Sequence, residues 1–146
     1  MIIWFTGQPG SGKTTICERI IWEKPSFFHI DGDDLRNLFE NKDYSETGRR
    51  KNIELAQQIS EYLHNKKRDV VVSLVSPYKD QRDKFKQKMG TNLVEIYIHT
   101  NELRGREDFF VENYEPPTEN FLSVDTTEED VEESVSKVLK YAENTR

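Results

Sequence analysis

One cysteine, Cys17, stands in the whole chain, so no internal disulfide can form. That usage fits a reducing compartment, and the expected location is cytoplasmic. Cys17 falls inside the first predicted helix, where a small buried apolar role suits it. No apolar run approaches the roughly 20 residues that a bilayer-spanning helix needs. No basic segment with an apolar stretch and a cleavage site opens the chain. Histidine is scarce as well. His29, His64 and His99 lie far apart, form no ligand spacing, and are read as structural or surface residues. Positive charge is also in deficit, with a net charge of −6. That disfavours nucleic acid and anionic membrane as partners, while local basic clusters can still hold a small anion. Internal repeats and low-complexity linkers are missing too.

The 146 residues fit a single domain, 1–146. A chain of that length buries roughly 70% of its unfolded surface. Periodic segments alternate along it. Ile2 to Thr6 reads as a buried strand, Gly12 to about Glu23 as a helix ended by Pro25, and Ser26 to Ile30 as a second strand. "DDLRNLFE" reads as a short helix and "ETGRRKNIELAQQISEYLHN" as a longer one. Asp69 to Ser76 is a continuous apolar strand, as expected with both faces covered. "KDQRDKFKQKM" is a polar helix and Val94 to Thr100 a fourth strand. Asn101 to Asn120 has no periodicity. Phe121 to Asp125 is a fifth strand, and Thr127 with Asp130 makes a capping-box-like start to the last helix. This alternation predicts an α/β fold: a three-layer, five-stranded parallel sheet flanked by helices, with ligands at the carboxyl ends of the strands.

Gly7-Gln8-Pro9-Gly10-Ser11-Gly12-Lys13-Thr14 fits the phosphate-loop pattern G-x-x-x-x-G-K-[ST] between a strand and a helix. Glycines allow positive φ and close approach of amide N–H groups to phosphate oxygens. The following helix adds its N-terminal partial charge. Gly7, Gly10, Ser11, Gly12, Lys13, Thr14 and Thr15 are therefore the expected phosphate cradle for ATP. Lys13 reaches the β and γ phosphates and the Thr14 hydroxyl serves Mg²⁺.

The long apolar strand ends without a carboxylate, unlike that of a motor or switch NTPase. The acids follow the second strand instead, in "HIDGDDLR". Asp31 and Asp33, brought together by Gly32, divide two tasks. One organises magnesium, directly or through water, and the other accepts the proton of an attacking hydroxyl. Which does which is open. Arg36 falls on the helix that Asp33 opens, and Arg49 and Asn52 share a face of the next one. These suit an anionic substrate. Arg82, one turn beyond Ser76-Pro77-Tyr78, is a further cleft candidate, while Arg50 and Lys51 are left on the surface.

In order, these segments resemble the adenylylsulfate (APS) kinase family of phosphate-loop kinases. "DGDDLR" is similar to that family's Asp-Gly-Asp-x-x-Arg segment. "YSETGRRKNI" is similar to its Phe-Ser-x-x-Asp-Arg-x-x-Asn-Ile, and "VSPYKDQRD" to its Ile-Ser-Pro-Tyr-x-x-x-Arg. "NYEPP" is similar to its Tyr-Glu-x-Pro. The resemblance implies an ATP- and Mg-dependent transferase of sulfate assimilation that phosphorylates the ribose 3′-hydroxyl of adenosine 5′-phosphosulfate. It implies Lys13, Asp31 and Asp33 as catalytic residues. It implies Arg36, Arg49, Asn52, Ser76, Pro77, Tyr78 and Arg82 as substrate contacts, with Tyr44 packing on the base.

The chain departs from the pattern in three places. Gly48 stands where the family has Asp before the Arg. Glu54 and Leu55 stand where it has a basic pair. The lid, around 101–120, is shortened. There Arg104 and Arg106 are the candidate lid cations, and Phe109 and Phe110 the candidate second aromatic face. A shortened lid invites closure by a homodimer partner. It also keeps two alternatives open: a kinase of another nucleotide such as cytidine diphosphoramidate, and a nucleotide-binding regulatory protein without turnover.

Overall fold

A computed structural model describes residues 1–145. Five strands, β1 (Ile2–Thr6), β2 (Phe28–Asp31), β3 (Val70–Ser73), β4 (Leu93–His99) and β5 (Phe121–Asp125), alternate with five helices. The helices are α1 (Lys13–Glu23), α2 (Gly32–Leu38), α3 (Glu46–Asn65), α4 (Lys79–Met89) and α5 (Val131–Thr145). The strands form one sheet in the order β2-β3-β1-β4-β5, and every pairing is parallel.

Successive residues of β1 serve opposite cores. Ile3 and Phe5 pack with Ile16, Ile20, Val135 and Val138 of α1 and α5. Ile2 and Trp4 pack with Ile53, Ala56, Phe85 and Met89 of α3 and α4. With both faces covered, the inner strands must be apolar throughout, hence the Val70–Val72 run. At the ~25 cal/mol per Å² typical of apolar burial, each such side chain contributes about 1.5–3 kcal/mol.

Boundaries differ from the sequence reading where backbone groups find other partners. The predicted strand Asp69–Ser76 stops at Ser73. Beyond it, the Val75 carbonyl turns to the Gly7 amide at 3.3 Å and to Thr6 Oγ1 at 2.7 Å. Ser76 then adopts a left-handed φ of 47°. β2 extends through Asp31, which, rather than Asp33, caps α2 by accepting from the Asp33 amide. At α5 the Asp130 carboxylate accepts from the Glu133 amide at 2.8 Å. Thr127 takes no part in that cap. Its hydroxyl accepts from the Asn101 amide at 2.8 Å.

β1 lies between β3 and β4, with β2 beyond β3, so the strand order changes side next to β1 while every strand stays parallel. A parallel sheet opens a crevice at such a point. The 7–12 loop sits there.

Candidate active site

The loop enters α1 through Gly12, whose φ of 110° is a left-handed conformation that glycine adopts without steric cost. No side chain caps the α1 N-terminus. The first-turn amides, including those of Lys13, Thr14 and Thr15, therefore keep their capacity to bind an anion. Lys13 is buried. Its Nζ donates to the carbonyls of Gly7 at 2.8 Å and Gln8 at 2.9 Å. Burial lowers its pKa to about 8, and the nearby Arg106 charge acts in the same direction. Asp31 and Asp33 oppose that shift, so both acids lie within electrostatic reach of the lysine.

Thr14 Oγ1 donates to Asp31 Oδ1 at 3.2 Å. The same oxygen accepts from Ser73 Oγ at 2.7 Å, and Asp31 Oδ2 accepts from the Asp33 amide at 3.2 Å. The Asp33 side chain is exposed and makes no hydrogen bond among the described residues. A hydroxyl beside a carboxylate is an oxygen donor set of the kind Mg²⁺ takes, together with waters and substrate phosphates. No cluster of three His, Cys, Asp or Glu side chains able to hold a metal exists among the described residues. The residues thus fit a cation that arrives with a nucleotide rather than a protein-built metal cage.

Beyond the acids, Asn52 Nδ2 donates to the Gly32 carbonyl at 3.3 Å, fastening α3 to the Asp31–Asp33 turn. Asn52 Oδ1 and Ser76 Oγ are both buried without a hydrogen-bond partner. An unpaired buried polar atom costs about 1–3 kcal/mol, and Ser76 adds a strained φ. Arg49 is half-buried, and its guanidinium makes no hydrogen bond or ion pair among the described residues. Arg36 Nη1 donates to the carbonyls of Asn41 and Asp43, each at 3.1 Å, and its guanidinium stacks 4.0 Å from the exposed Tyr44 ring. Part of Arg36 is therefore committed to holding the 39–45 loop. Pro77 is buried and Tyr78 half-buried. Arg50 stacks on Tyr78 at 4.2 Å and pairs with Asp80 at 3.1 Å, tying α3 to α4.

Arg82 is corrected by the structure. It is buried, its Nε donates to the buried Glu95 carboxylate at 3.0 Å, and its Nη1 donates to the Ser76 carbonyl at 2.6 Å. Its Nη2 donates to the Glu115 carbonyl. A guanidinium so occupied has little left for a substrate anion. Glu95, inside an apolar-looking strand, was the missing signal.

Gly48, where an acid was expected, has a steric cause. A Cβ there would lie 2.2 Å from the Asp43 carbonyl oxygen and 2.5 Å from Asp43 Cγ. Asp43 fills the space that a side chain at 48 would need.

Residues 101–120 are irregular apart from a short 3₁₀ turn, Glu107–Phe109. Arg104 crosses the phosphate loop. Its Nη1 donates to the carbonyls of Gly10 and Ser11 at 3.2 Å each, and its Nη2 to the Thr126 carbonyl at 2.9 Å. Arg106 stacks on the exposed Phe109 at 5.4 Å. A cleft of about 130 Å³ runs beside the loop, lined in part by Arg104, Arg106, Phe110 and Tyr97. Phe109 is not among its walls. Thr126 was missed by sequence reasoning, yet its hydroxyl donates to the Ser11 carbonyl at 2.7 Å. Its place immediately after β5, at the edge shared with the loop, was the available clue.

An uncapped glycine loop at the switch point of a parallel sheet, with Asp31 at the end of β2 reaching it and Asp33 opening α2 beside it, defines a phosphate-loop kinase. The Adenylylsulphate kinase family model matches residues 1–109. The Staphylococcus carnosus adenylyl-sulfate kinase is 29% identical over 99% of this chain and 84% of its own length. That of Picosynechococcus is 31% identical over 94% and 90%. The Mycobacterium tuberculosis APS kinase solved with AMPPNP and APS has the same fold, with a TM-score of 0.81 over 97% of this chain and 96% of that one, at 24% identity. The chain belongs to the adenylylsulphate kinase family.

Proposed function

We propose that this protein transfers the γ-phosphoryl group of ATP to the ribose 3′-hydroxyl of adenosine 5′-phosphosulfate. The observation that carries this reading is the Thr14–Asp31 contact at 3.2 Å, which sets the two acids against the phosphate loop. Family membership and the names of the relatives favour this acceptor over cytidine diphosphoramidate and over a regulatory binder. The location follows the sequence expectation, cytoplasmic, and no helix among the described residues is long and apolar enough to cross a membrane.

In this reading the loop amides and Lys13 would hold the phosphates of ATP, and Thr14 and Asp31 would hold Mg²⁺. That cation would neutralise charge developing on the phosphoryl oxygens. Asp33, whose exposed carboxylate makes no hydrogen bond among the described residues, accepts the proton of the attacking hydroxyl. Arg49, Asn52 and Ser76 receive the nucleotide, which supplies partners for the two orphaned buried oxygens. Arg36 holds the loop that presents Tyr44 to the base. Residues 101–120 form the shortened lid of a single kinase domain, with Arg104 and Arg106 as its cations.

The test is transfer of label from γ-labelled ATP to adenosine 5′-phosphosulfate, with cytidine diphosphoramidate alongside. Label in the sulfate nucleotide alone is expected. Label in cytidine diphosphoramidate alone, or in neither, would overturn the assignment.

A further inference from the structure

Asp31 ends β2, the strand at the edge of the sheet. A carboxylate there, half exposed, has several rotamers open to it unless something holds it. The cross-strand partner supplies the hold. Asp31 pairs in register with Ser73, and His29 with Val71. Side chains at 29, 31, 71 and 73 therefore point to one face of the sheet. Val71 packs in the core with Ile16, Cys17 and Ile20, so that face is the α1 face. It is also the face from which Thr14 reaches Asp31.

A hydrogen-bonded chain runs along this face. Ser73 Oγ donates to Asp31 Oδ1 at 2.7 Å. A hydroxyl has one proton, so its 2.7 Å contact with His29 Nε2 must be one in which the imidazole N–H donates. His29 thereby fixes the rotation of the Ser73 hydroxyl, and the hydroxyl fixes the carboxylate. Ser73 is buried at 3% exposure and follows three valines. Its hydroxyl meets Asp31 and His29, with the buried Cys17 thiol also within hydrogen-bonding reach.

We propose that Ser73, oriented by His29, is a positioning residue for the phosphoryl-transfer site, locking the Asp31 carboxylate toward Thr14 and the phosphate loop. The inference rests on the kinase reading above. It assigns functions to a residue read from sequence as plain strand and to a histidine read as structural or surface.

The experiment compares wild type with Ser73→Ala, Ser73→Thr, His29→Leu and the Ser73→Ala/His29→Leu double variant. Thermal unfolding checks folding. Turnover is read as separate kcat and KM. Calorimetric titration of ADP over a range of Mg²⁺ gives a readout that needs no acceptor. Ser73→Ala is expected to lower kcat about 10- to 100-fold with the ATP KM within twofold of wild type. The Mg²⁺ concentration that half-maximally tightens ADP binding should rise several-fold. Ser73→Thr, which keeps the hydroxyl, should recover most of that loss. His29→Leu should lose about three- to tenfold in kcat, and the double variant should match Ser73→Ala, since His29 acts through the hydroxyl. If Ser73→Ala fails to fold, the kcat of His29→Leu decides the matter. The inference is overturned by a Ser73→Ala or His29→Leu enzyme with wild-type kcat and Mg²⁺ dependence. It is overturned equally by Ser73→Thr falling as far as Ser73→Ala, or by additive losses in the double variant. A wild type that tightens on ADP with Mg²⁺ but phosphorylates no acceptor would sink the kinase reading instead. The Mg²⁺ titration would then still decide the role of Ser73.

Discussion

Thr14 Oγ1 and Asp31 Oδ1 stand 3.2 Å apart, so the first turn of α1 and the last residue of β2 share one edge of the cleft. In the function proposed above, this contact gives the two acids separate duties. Asp31 accepts from Thr14, Ser73 and the Asp33 amide, whereas the Asp33 carboxylate is exposed. Asp33→Asn should therefore lower kcat by about 10²- to 10⁴-fold, the usual range for loss of a general base, with the Kd for ADP unchanged. Asp31→Asn should instead weaken the Mg²⁺ dependence of ADP binding. Coupled ADP-release assays and calorimetry check both, and a fully active Asp33→Asn enzyme would refute the division.

Lys13 should make nucleotide binding pH-dependent. Burial holds its pKa at about 8, below the ordinary 10.5. Between these values the unfolded chain carries more protons than the folded one, so this group adds stability to the nucleotide-free protein as pH rises through that window. Bound phosphates favour the charged amine and raise its pKa again. Binding of ADP at pH 8.5 should thus take up a proton. Above pH 8 the affinity should fall by up to about tenfold per pH unit. At pH 6.5 Lys13 contributes no uptake. Calorimetry in buffers of different ionisation enthalpy measures the effect, and Lys13→Ala should abolish it.

Arg82 is a stability residue. Removing it strands the buried Glu95 carboxylate with Lys86, at 2.7 Å, as its remaining cation. Breaking a buried pair from one side typically costs about 3–5 kcal/mol. Arg82→Met should shift urea unfolding by that order, while any folded fraction keeps its KM for the acceptor. A raised KM with unchanged stability would restore Arg82 to the substrate site.

Arg104 ties the 101–110 segment to the phosphate loop through the Gly10, Ser11 and Thr126 carbonyls. Arg104→Ala should free that segment and speed tryptic cleavage after Arg106 several-fold, since cleavage follows local opening. Mass spectrometry of a timed digest reads it, and an unchanged rate would mean that other contacts hold the segment.

The sheet, its helices and the phosphate loop were legible in the sequence because each depends on local pattern. α3 and α4 fall where the periodicity puts them. Strand ends were less legible. β3 stops at Ser73 because the Val75 carbonyl bonds across the loop to Thr6 and Gly7, a long-range event that no window of residues reveals. Asp31 and Asp33 were singled out through their place after β2. The support behind them was not, since the Ser73–Asp31 pairing depends on register between two strands. Arg82 misled because its partner Glu95 lies in a run that reads as apolar. Near 48, the pattern gave the residue type but only packing gave the reason.

The contact between Asp43 and the bare α-carbon of Gly48 closes a mutational path. Any residue other than glycine at 48 meets the carbonyl oxygen and carboxyl carbon of a neighbour five positions upstream, so no side chain fits there with the turn as it stands. Trimming the Asp43 side chain would relieve only part of the clash, because the 2.2 Å approach is to its backbone carbonyl. A side chain at 48 therefore requires the whole turn that feeds α3 to move.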